Sequence, residues 1–399
     1  MKFVIAVGDG MADEYIDRLG KKSPLEYAET PNLDFVASRG ICGMVDLIPN
    51  GFPPGSDIGN MSIMGYNPKK YHTGRAPIEA ASIGIKLADG ETALRCNLVT
   101  ISDGIMNDYS AGHITTESAN KIIKDLQKLN CDKYRFYAGT QYRHILVVKN
   151  IKIKETLTPP HDISATAVAD FEPKNELLAD IRKKAHEILA NCGENKIRVA
   201  NGEKPATDIW LWGGGTAARY PSLRDRYSIT GAVISAVDLV KGIGVLAGME
   251  VVNVPGATGY LGTNYAGKIS ACREMLKKHD FVYIHIEAPD ETAHEGNLNK
   301  KIQAIEEYDK FIVGEVIKML EEYEDLSVMV LPDHPTYVRT KTHAEGMVPF
   351  AVFGKNVPIG DSSVYSERSA KQSGIVIKSG EELFDKFIRG GFNIGKPVF

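Results

Sequence analysis

The chain has 399 residues, with 47 Lys plus Arg against 51 Asp plus Glu, for a net charge of −4. That balance, without any Lys/Arg-rich run, speaks against nucleic acid as a partner. A composition of 43% hydrophobic and 25% charged residues excludes a collagen-like, disordered or coiled-coil chain.

Taken in chain order, the apolar run 3–7 reads as a buried strand. It is too short for a signal peptide and runs straight into Gly8-Asp9-Gly10. A turn-rich loop, Pro53-Pro54-Gly55-Ser56, then enters what reads as a short helix. Between about residues 76 and 228 the pattern changes to alternating, half-exposed strands at 97–101 and 142–148, helices at 117–129 and 175–190, and a turn at Thr158-Pro159-Pro160-His161-Asp162. This middle part predicts an inserted α+β domain, and the length suits one large domain with an insertion. The runs 209–212, 232–234, 281–286, 327–331 and 349–353 are almost wholly apolar, which suits strands covered on both faces, as in parallel sheets. Ile302, Ile305, Phe311, Ile312, Val316, Met319 and Leu320 share one stripe and predict a single long helix over 298–322. Strands alternating with helices give an α/β class. No stretch reaches the roughly 20 apolar residues that span a bilayer. Five scattered cysteines without a C-x-x-C pair argue against a zinc ribbon or disulfide framework and make the cytoplasm the default address.

Three glycine patterns imitate nucleotide-binding loops. Gly8-Asp9-Gly10 has Asp13 where the fingerprint needs a small residue, and Gly242-Ile243-Gly244 lacks a clean strand before it. The segment from Gly262 to Lys268 matches a P-loop as far as its lysine, but Ile269 stands where a Ser or Thr must bind magnesium. No nucleotide is expected.

The informative chemistry lies just past the strand ends. Asp9 follows the first run, Asp290 and His294 follow 281–286, Asp333-His334 follows 327–331, and His343 precedes 349–353. Ligands bind beyond the carboxyl ends of strands in such sheets. Three acids and three histidines at one edge suit two divalent metals, Mn²⁺, Mg²⁺ or Zn²⁺. Asp290 and His294 can share an ion if the intervening turn is helical. Ser56 and Ser62, in the loop and helix after Pro54, are both available as a nucleophile toward phosphorus.

These residues resemble the alkaline phosphatase superfamily and, more narrowly, the archaeal-type cofactor-independent phosphoglycerate mutases. Gly74-Arg75-Ala76-Pro77, Arg95-Cys96-Asn97-Leu98, Trp210-Leu211-Trp212-Gly213 and Pro255-Gly256-Ala257-Thr258-Gly259-Tyr260 extend the likeness over nearly the whole chain. The resemblance implies an alkaline-phosphatase-like sandwich with a mostly parallel central sheet: residues 1–75 and 229–399 form the metal-binding domain and 76–228 the inserted, substrate-clamping one, with hinges near 75 and 228. It implies that Asp9, Ser62, Asp333 and His334 hold one metal and Asp290, His294 and His343 the other. Ser62 would be the nucleophile, although Met61 interrupts the family's Gly-Asn-Ser loop and keeps Ser56 as the alternative. The implied reaction interconverts 3-phosphoglycerate and 2-phosphoglycerate through a phosphoserine, without 2,3-bisphosphoglycerate, on a small phosphorylated carboxylate. His113, Arg143, Arg75 and Lys241 are the expected clamps. The competing readings are a metal-dependent phosphatase with the same core, a phosphoryl transferase acting on a homoserine-type substrate, and a non-catalytic metal-stabilised module.

Overall fold

A computed structural model describes residues 1–153, 155–355 and 357–392. The chain divides into two compact units, Met1–His72 with the segment resuming at Tyr220, and Thr73–Arg219. Among the described residues no helix is long and apolar enough to cross a membrane.

The first unit is built on an eight-stranded sheet in the order Val376–Ile377, Ile41–Val45, Val348–Phe353, Leu326–Leu331, Lys2–Gly8, Phe281–Ile286, Gly231–Ile234, Glu250–Val252. The five strands from Leu326–Leu331 to Glu250–Val252 are mutually parallel. Both faces are covered, which is why these strands are continuous apolar runs. Val4, Ala6, Val282, Ile284, Val328 and Val330 pack in one core with Cys272 and Leu276 of Tyr265–Lys278 and Ala304, Ile305 and Tyr308 of Leu298–Tyr308. Elsewhere on the sheet, Phe3 and Phe281 meet Phe387 and Phe384 of helix Gly380–Arg389 edge to face. Burying each such side chain is worth roughly 1.5–3 kcal/mol.

Val348–Phe353 runs antiparallel to both neighbours. Its amino-terminal end therefore lies at the edge where the parallel strands have their carboxyl ends. Residues just after Lys2–Gly8, Phe281–Ile286 and Leu326–Leu331, and just before Val348–Phe353, meet at one rim of the sheet.

The second unit has its own antiparallel five-stranded sheet, in which Glu91–Ser102 pairs with Ile105–Asp108, Arg143–Lys149 and Asp208–Thr216, and Tyr134–Thr140 pairs with Arg143–Lys149. Helices Thr116–Leu126 and Glu176–Asn191 cover one face through Ile122, Ile123, Leu178 and Ile181, packed with Leu94, Leu98, Leu146 and Leu211. Their starts follow local chemistry, since the Thr115 side chain accepts from Ser118 N and Asn175 accepts from Leu177 N and Leu178 N.

Three expectations need correction. The run 209–212 belongs to this antiparallel sheet; it is apolar throughout because Ile209 and Leu211 face the helices while Trp210 and Trp212 pack with Val99, Met106 and Ile163. The helix expected over 298–322 is interrupted. It comprises Leu298–Tyr308, a π-turn at Asp309–Val313, Gly314–Lys318 and a 3₁₀ turn at Met319–Glu321. At the π-turn the Asp309 carboxylate accepts from Leu33 N (2.7 Å) and Asn32 Nδ2 (2.8 Å), holding the start of helix Pro31–Arg39. The later domain boundary falls at 219/220 instead of 228/229, because the Tyr220 ring stacks on Tyr66 (4.7 Å), the Tyr66 hydroxyl donates to Pro221 O, and Leu223 N bonds Ala247 O within the first unit.

His144 sits fully buried in Arg143–Lys149, its Nδ1 accepting from Gly139 N at 3.0 Å. Burial pushes it down to about 3, so the folded unit refuses a proton that the unfolded chain takes below about pH 6.5. Its contribution is present above pH 6.5 and is lost as pH falls. Between pH 7 and pH 5 this one site should cost roughly 2 kcal/mol of stability. Both tryptophans, Trp210 and Trp212, lie in this unit, so urea unfolding followed by their fluorescence reads it selectively. His144→Gln should flatten that pH dependence by about the same amount.

Candidate active site and metal centre

The sheet rim gathers two groups of potential metal ligands, Asp9 with Asp333 and His334, and Asp290 with His294 and His343, while a third group, Asp9 with His285 and Glu287, overlaps the first at Asp9; the ligand atoms within each group lie within 4.8 Å of one another. The rings of His334 and His343 are 4.2 Å apart between centroids, so the two groups adjoin. Asp9 ends the first strand. Asp290 and His294 stand one helical turn apart on Ala288–His294, with carboxylate and imidazole at 3.1 Å. His343 is brought in by the hairpin Thr336–Tyr337 and Thr342–His343, where Thr336 pairs with His343.

Close approach demands glycine at two positions. Gly10 has φ +60°, and a Cβ there would collide with the Asp290 carboxylate and the Thr336 hydroxyl. A Cβ on Gly59 would strike the Asp333 backbone at 2.6 Å. The Gly8-Asp9-Gly10 motif thus serves carboxylate packing.

Hydrogen bonds fix the tautomers. The Thr336 hydroxyl donates to Asp290 Oδ1 (2.6 Å), so the contact at 3.2 Å requires His334 Nδ1 to be the donor. His294 Nδ1 donates to Lys341 O (2.9 Å) and His343 Nδ1 to Pro54 O (3.2 Å). All three imidazoles therefore turn Nε2 inward, the arrangement of a histidine whose outer N–H is anchored and whose inner nitrogen is a ligand. Among the described residues the buried Asp9 Oδ1 accepts no hydrogen bond. This donor set fits divalent cations.

The charges agree. Burial, then the charges of Asp333 and Asp290, raise Asp9 well above the carboxylate range. Burial would raise Asp290 as well, but hydrogen bonds from His294 and His343 hold it well below that range. Burial lowers His334. At His294 the bond and charge of Asp290 outweigh burial and push it up to about 9.

A further histidine, His285, was not read as a site residue. It sits in the strand Phe281–Ile286 with Nε2 at 2.9 Å from Asp9 Oδ2 and Nδ1 at 3.4 Å from Ser235 Oγ. Burial pushes it down to about 4, so it is neutral and donates to Asp9, orienting that carboxylate. Its carbonyl accepts from Lys268 Nζ (2.9 Å), the lysine of the failed P-loop. The buried Lys301 ammonium joins Ala12 O, Asp13 Oδ2 and Thr336 O, pinning together the loops that carry Asp9 and Asp333.

The two serines part company. Ser56 opens helix Ser56–Ile63, its Oγ 3.2 Å from His334 Nε2 and 3.4 Å from Asp9 Oδ2. Ser62 is buried elsewhere, donating to Leu47 O at 2.6 Å with its backbone pressed against Gly380. The hydroxyl of Ser62, expected as nucleophile and ligand, is thus spent on the Leu47 carbonyl, while that of Ser56, the alternative, faces the ligand groups.

In the second unit, Arg75 Nε and Arg95 Nε reach the two oxygens of Glu79 (3.0 and 2.8 Å), and the Arg95 guanidinium lies 4.1 Å over Trp212. Burial opposes ionisation of Glu79, but Arg95, Arg75 and Arg143 together lower it. Arg143 covers Tyr142 at 5.1 Å, and Tyr109 meets Tyr142, His113 and His161 edge-on. Arg75 and Arg95 thus pair with Glu79, and Arg143 adds positive charge to their surroundings. His113 is exposed, in a left-handed conformation with φ +50°. Lys241 lies in the first unit on Asp238–Leu246, 3.5 Å from Asp238. Arg95 was not among the expected clamps, although a lone arginine within an apolar strand is itself a signal.

A cation entering the Asp290 group must displace the proton that His294 holds below about pH 9. At pH 7.5, binding of Mn²⁺ there should release about one proton, and the apparent affinity should fall about tenfold for each pH unit of acidification. Titration calorimetry in two buffers of different ionisation enthalpy checks this; a buffer-independent heat would contradict it.

Comparison with known proteins gives the family of the chain. A family model described as 2,3-bisphosphoglycerate-independent phosphoglycerate mutase matches residues 37–195. The chain is 47% identical over 394 residues to the Methanothrix thermoacetophila protein of that name, covering 98% of this chain and all of that one. It is 43% identical over 397 residues to a probable one from Geobacter sulfurreducens, covering 97% and 100%. Among solved structures, the PH0037 protein from Pyrococcus horikoshii superposes with a TM-score of 0.82 at 26% identity, covering 99% of both chains. The chain belongs to the 2,3-bisphosphoglycerate-independent phosphoglycerate mutase family.

Proposed function

We propose that this chain interconverts 3-phosphoglycerate and 2-phosphoglycerate without 2,3-bisphosphoglycerate, through a phosphoserine on Ser56. The observation that carries this reading is the Ser56 hydroxyl, set 3.2 Å from an inward-facing imidazole nitrogen between buried carboxylates. Family membership supplies the substrate class, a small phosphorylated carboxylate.

Asp9, Asp333 and His334 would hold one divalent cation and Asp290, His294 and His343 the other. When bound, such cations neutralise phosphoryl oxygens and favour the ionised form of a nearby hydroxyl. The mixture of imidazole and carboxylate suits Mn²⁺ or Zn²⁺ better than Mg²⁺. The Ser56 oxygen attacks phosphorus in line, the bond from phosphorus to the glycerate oxygen breaks, and the serine proton ends on the departing hydroxyl. The other glycerate hydroxyl then attacks the phosphoserine and restores Ser56. His334, its Nδ1 anchored on Thr336 and its tendency to protonate lowered by burial, keeps Nε2 facing Ser56.

Arg75, Arg95 and Arg143 provide the bidentate groups that a carboxylate needs. His113 and Lys241 are secondary contacts on this reading. The five free cysteines suit a reducing cytoplasm.

A coupled enolase assay on 3-phosphoglycerate without 2,3-bisphosphoglycerate tests the proposal. Activity should vanish on chelation and return with Mn²⁺. Ser56→Ala should lose about 10⁴-fold or more in kcat. Ser62→Ala should keep activity while losing about 1–2 kcal/mol of stability, the cost of an unpaired Leu47 carbonyl. Release of free phosphate as the main product would instead favour the phosphatase reading.

A further inference from the structure

Asn60 lies on helix Ser56–Ile63, fully buried, and every polar atom of its side chain is engaged. Its Nδ2 donates to Ser56 O at 2.9 Å and to Asp333 Oδ2 at 2.8 Å. Its Oδ1 accepts from the Tyr283 hydroxyl at 2.6 Å. The orientation follows from the partners. A backbone carbonyl and a carboxylate can only accept, so the amide must turn its two hydrogens toward them. Tyr283 is buried in the strand Phe281–Ile286, where burial and the charges of Asp333 and Asp9 keep its hydroxyl protonated. It can therefore donate to the remaining oxygen.

Asp333 is held from its other side too, since Oδ1 accepts from Gly10 N (3.1 Å) and His334 N (3.0 Å). Asn60 donates to Oδ2, which also lies 3.3 Å from His334 Nε2, and through the Ser56 carbonyl it ties the first turn of the helix to Asp333. Strand, helix and metal loop are thus joined through one amide.

We infer that Asn60 is a positioning residue that locks the turn bearing Ser56 in register with the ligand Asp333, and that Tyr283 sets the orientation of its amide. The inference rests on the reading of Ser56 as nucleophile and Asp333 as ligand. A site must be held within about 0.5 Å of its productive geometry, and groups that orient ligands from behind typically carry 10–100-fold in metal affinity or activity.

The test uses the full chain and Mn²⁺ as probe, titrated by calorimetry and by the electron paramagnetic resonance of bound Mn²⁺. Asn60→Ala should weaken binding at the Asp9–Asp333–His334 group about 10–100-fold and leave the Asp290–His294–His343 group unchanged. Its kcat should fall while KM for 3-phosphoglycerate holds. Tyr283→Phe removes a single oxygen and should shift the same quantities in the same direction by several-fold; if Asn60→Ala does not fold, Tyr283→Phe decides. Ser62→Ala, on the same helix, should bind Mn²⁺ as the unaltered chain does. Equal weakening at both groups, or wild-type binding and kcat in both variants, overturns the inference. Mn²⁺ binding is read without turnover. A chain that shows the selective weakening but forms no 2-phosphoglycerate therefore sinks the mutase reading and leaves the role of Asn60 standing.

Discussion

Three carboxylates, Asp9, Asp290 and Asp333, are buried together at one rim of a sheet. Two like charges about 4 Å apart at an effective dielectric of 20 repel by about 4 kcal/mol, so three cannot ionise together without compensation. The chain compensates unevenly. Asp333 is surrounded by N–H donors, Asp290 takes a cationic His294, and Asp9 is left with a raised pKa and an unsatisfied oxygen. The remaining deficit is positive charge, which a divalent cation in each group would supply. Much of the surrounding architecture follows from holding these carboxylates close enough for that to work.

The sheet solves the problem with one reversed strand. Parallel strands alone would bring Asp9, the turn after Phe281–Ile286, and Asp333 to the rim. His343 stands on the amino-terminal side of Val348–Phe353, and only an antiparallel strand puts that end beside the others. The histidines then divide by tautomer. His294, His334 and His343 anchor Nδ1 and turn Nε2 inward, whereas His285 spends its Nε2 on Asp9. Residues of one type thus take opposite roles according to which oxygen lies behind the ring.

Much of this was legible in advance because the signals were local. An apolar run followed at once by an acid reads as a buried strand delivering a ligand, and the strands ending before Asp9, Asp290 and Asp333 were found that way. Tertiary effects were not legible. The break at Asp309 comes from its bonds to Asn32 and Leu33, some 276 residues away in sequence, against a stripe that reads as one helix. His285 lies inside a strand whose neighbours are apolar and looks like core until Asp9 is placed beside it. Lys268 looked like a failed nucleotide motif, and its buried bond to the His285 carbonyl shows why a lysine stands there.

The choice between Ser56 and Ser62 shows how geometry decides what residue type cannot. Both serines lie on one eight-residue helix. In a helix of 3.6 residues per turn, Ser56 and Asn60, four apart, share a face, whereas Ser62 is six positions from Ser56 and points about 120° away from it. Gly59 and Asn60 both meet Asp333, which fixes the metal-facing side of the helix. Ser56 follows onto that side, and Ser62 falls onto the core side, where the Leu47 carbonyl takes its hydrogen. Exchanging the roles of the two serines would require the helix to rotate by about a third of a turn. That rotation would carry Asn60 off Asp333 and bring side chains larger than glycine against the Asp333 backbone.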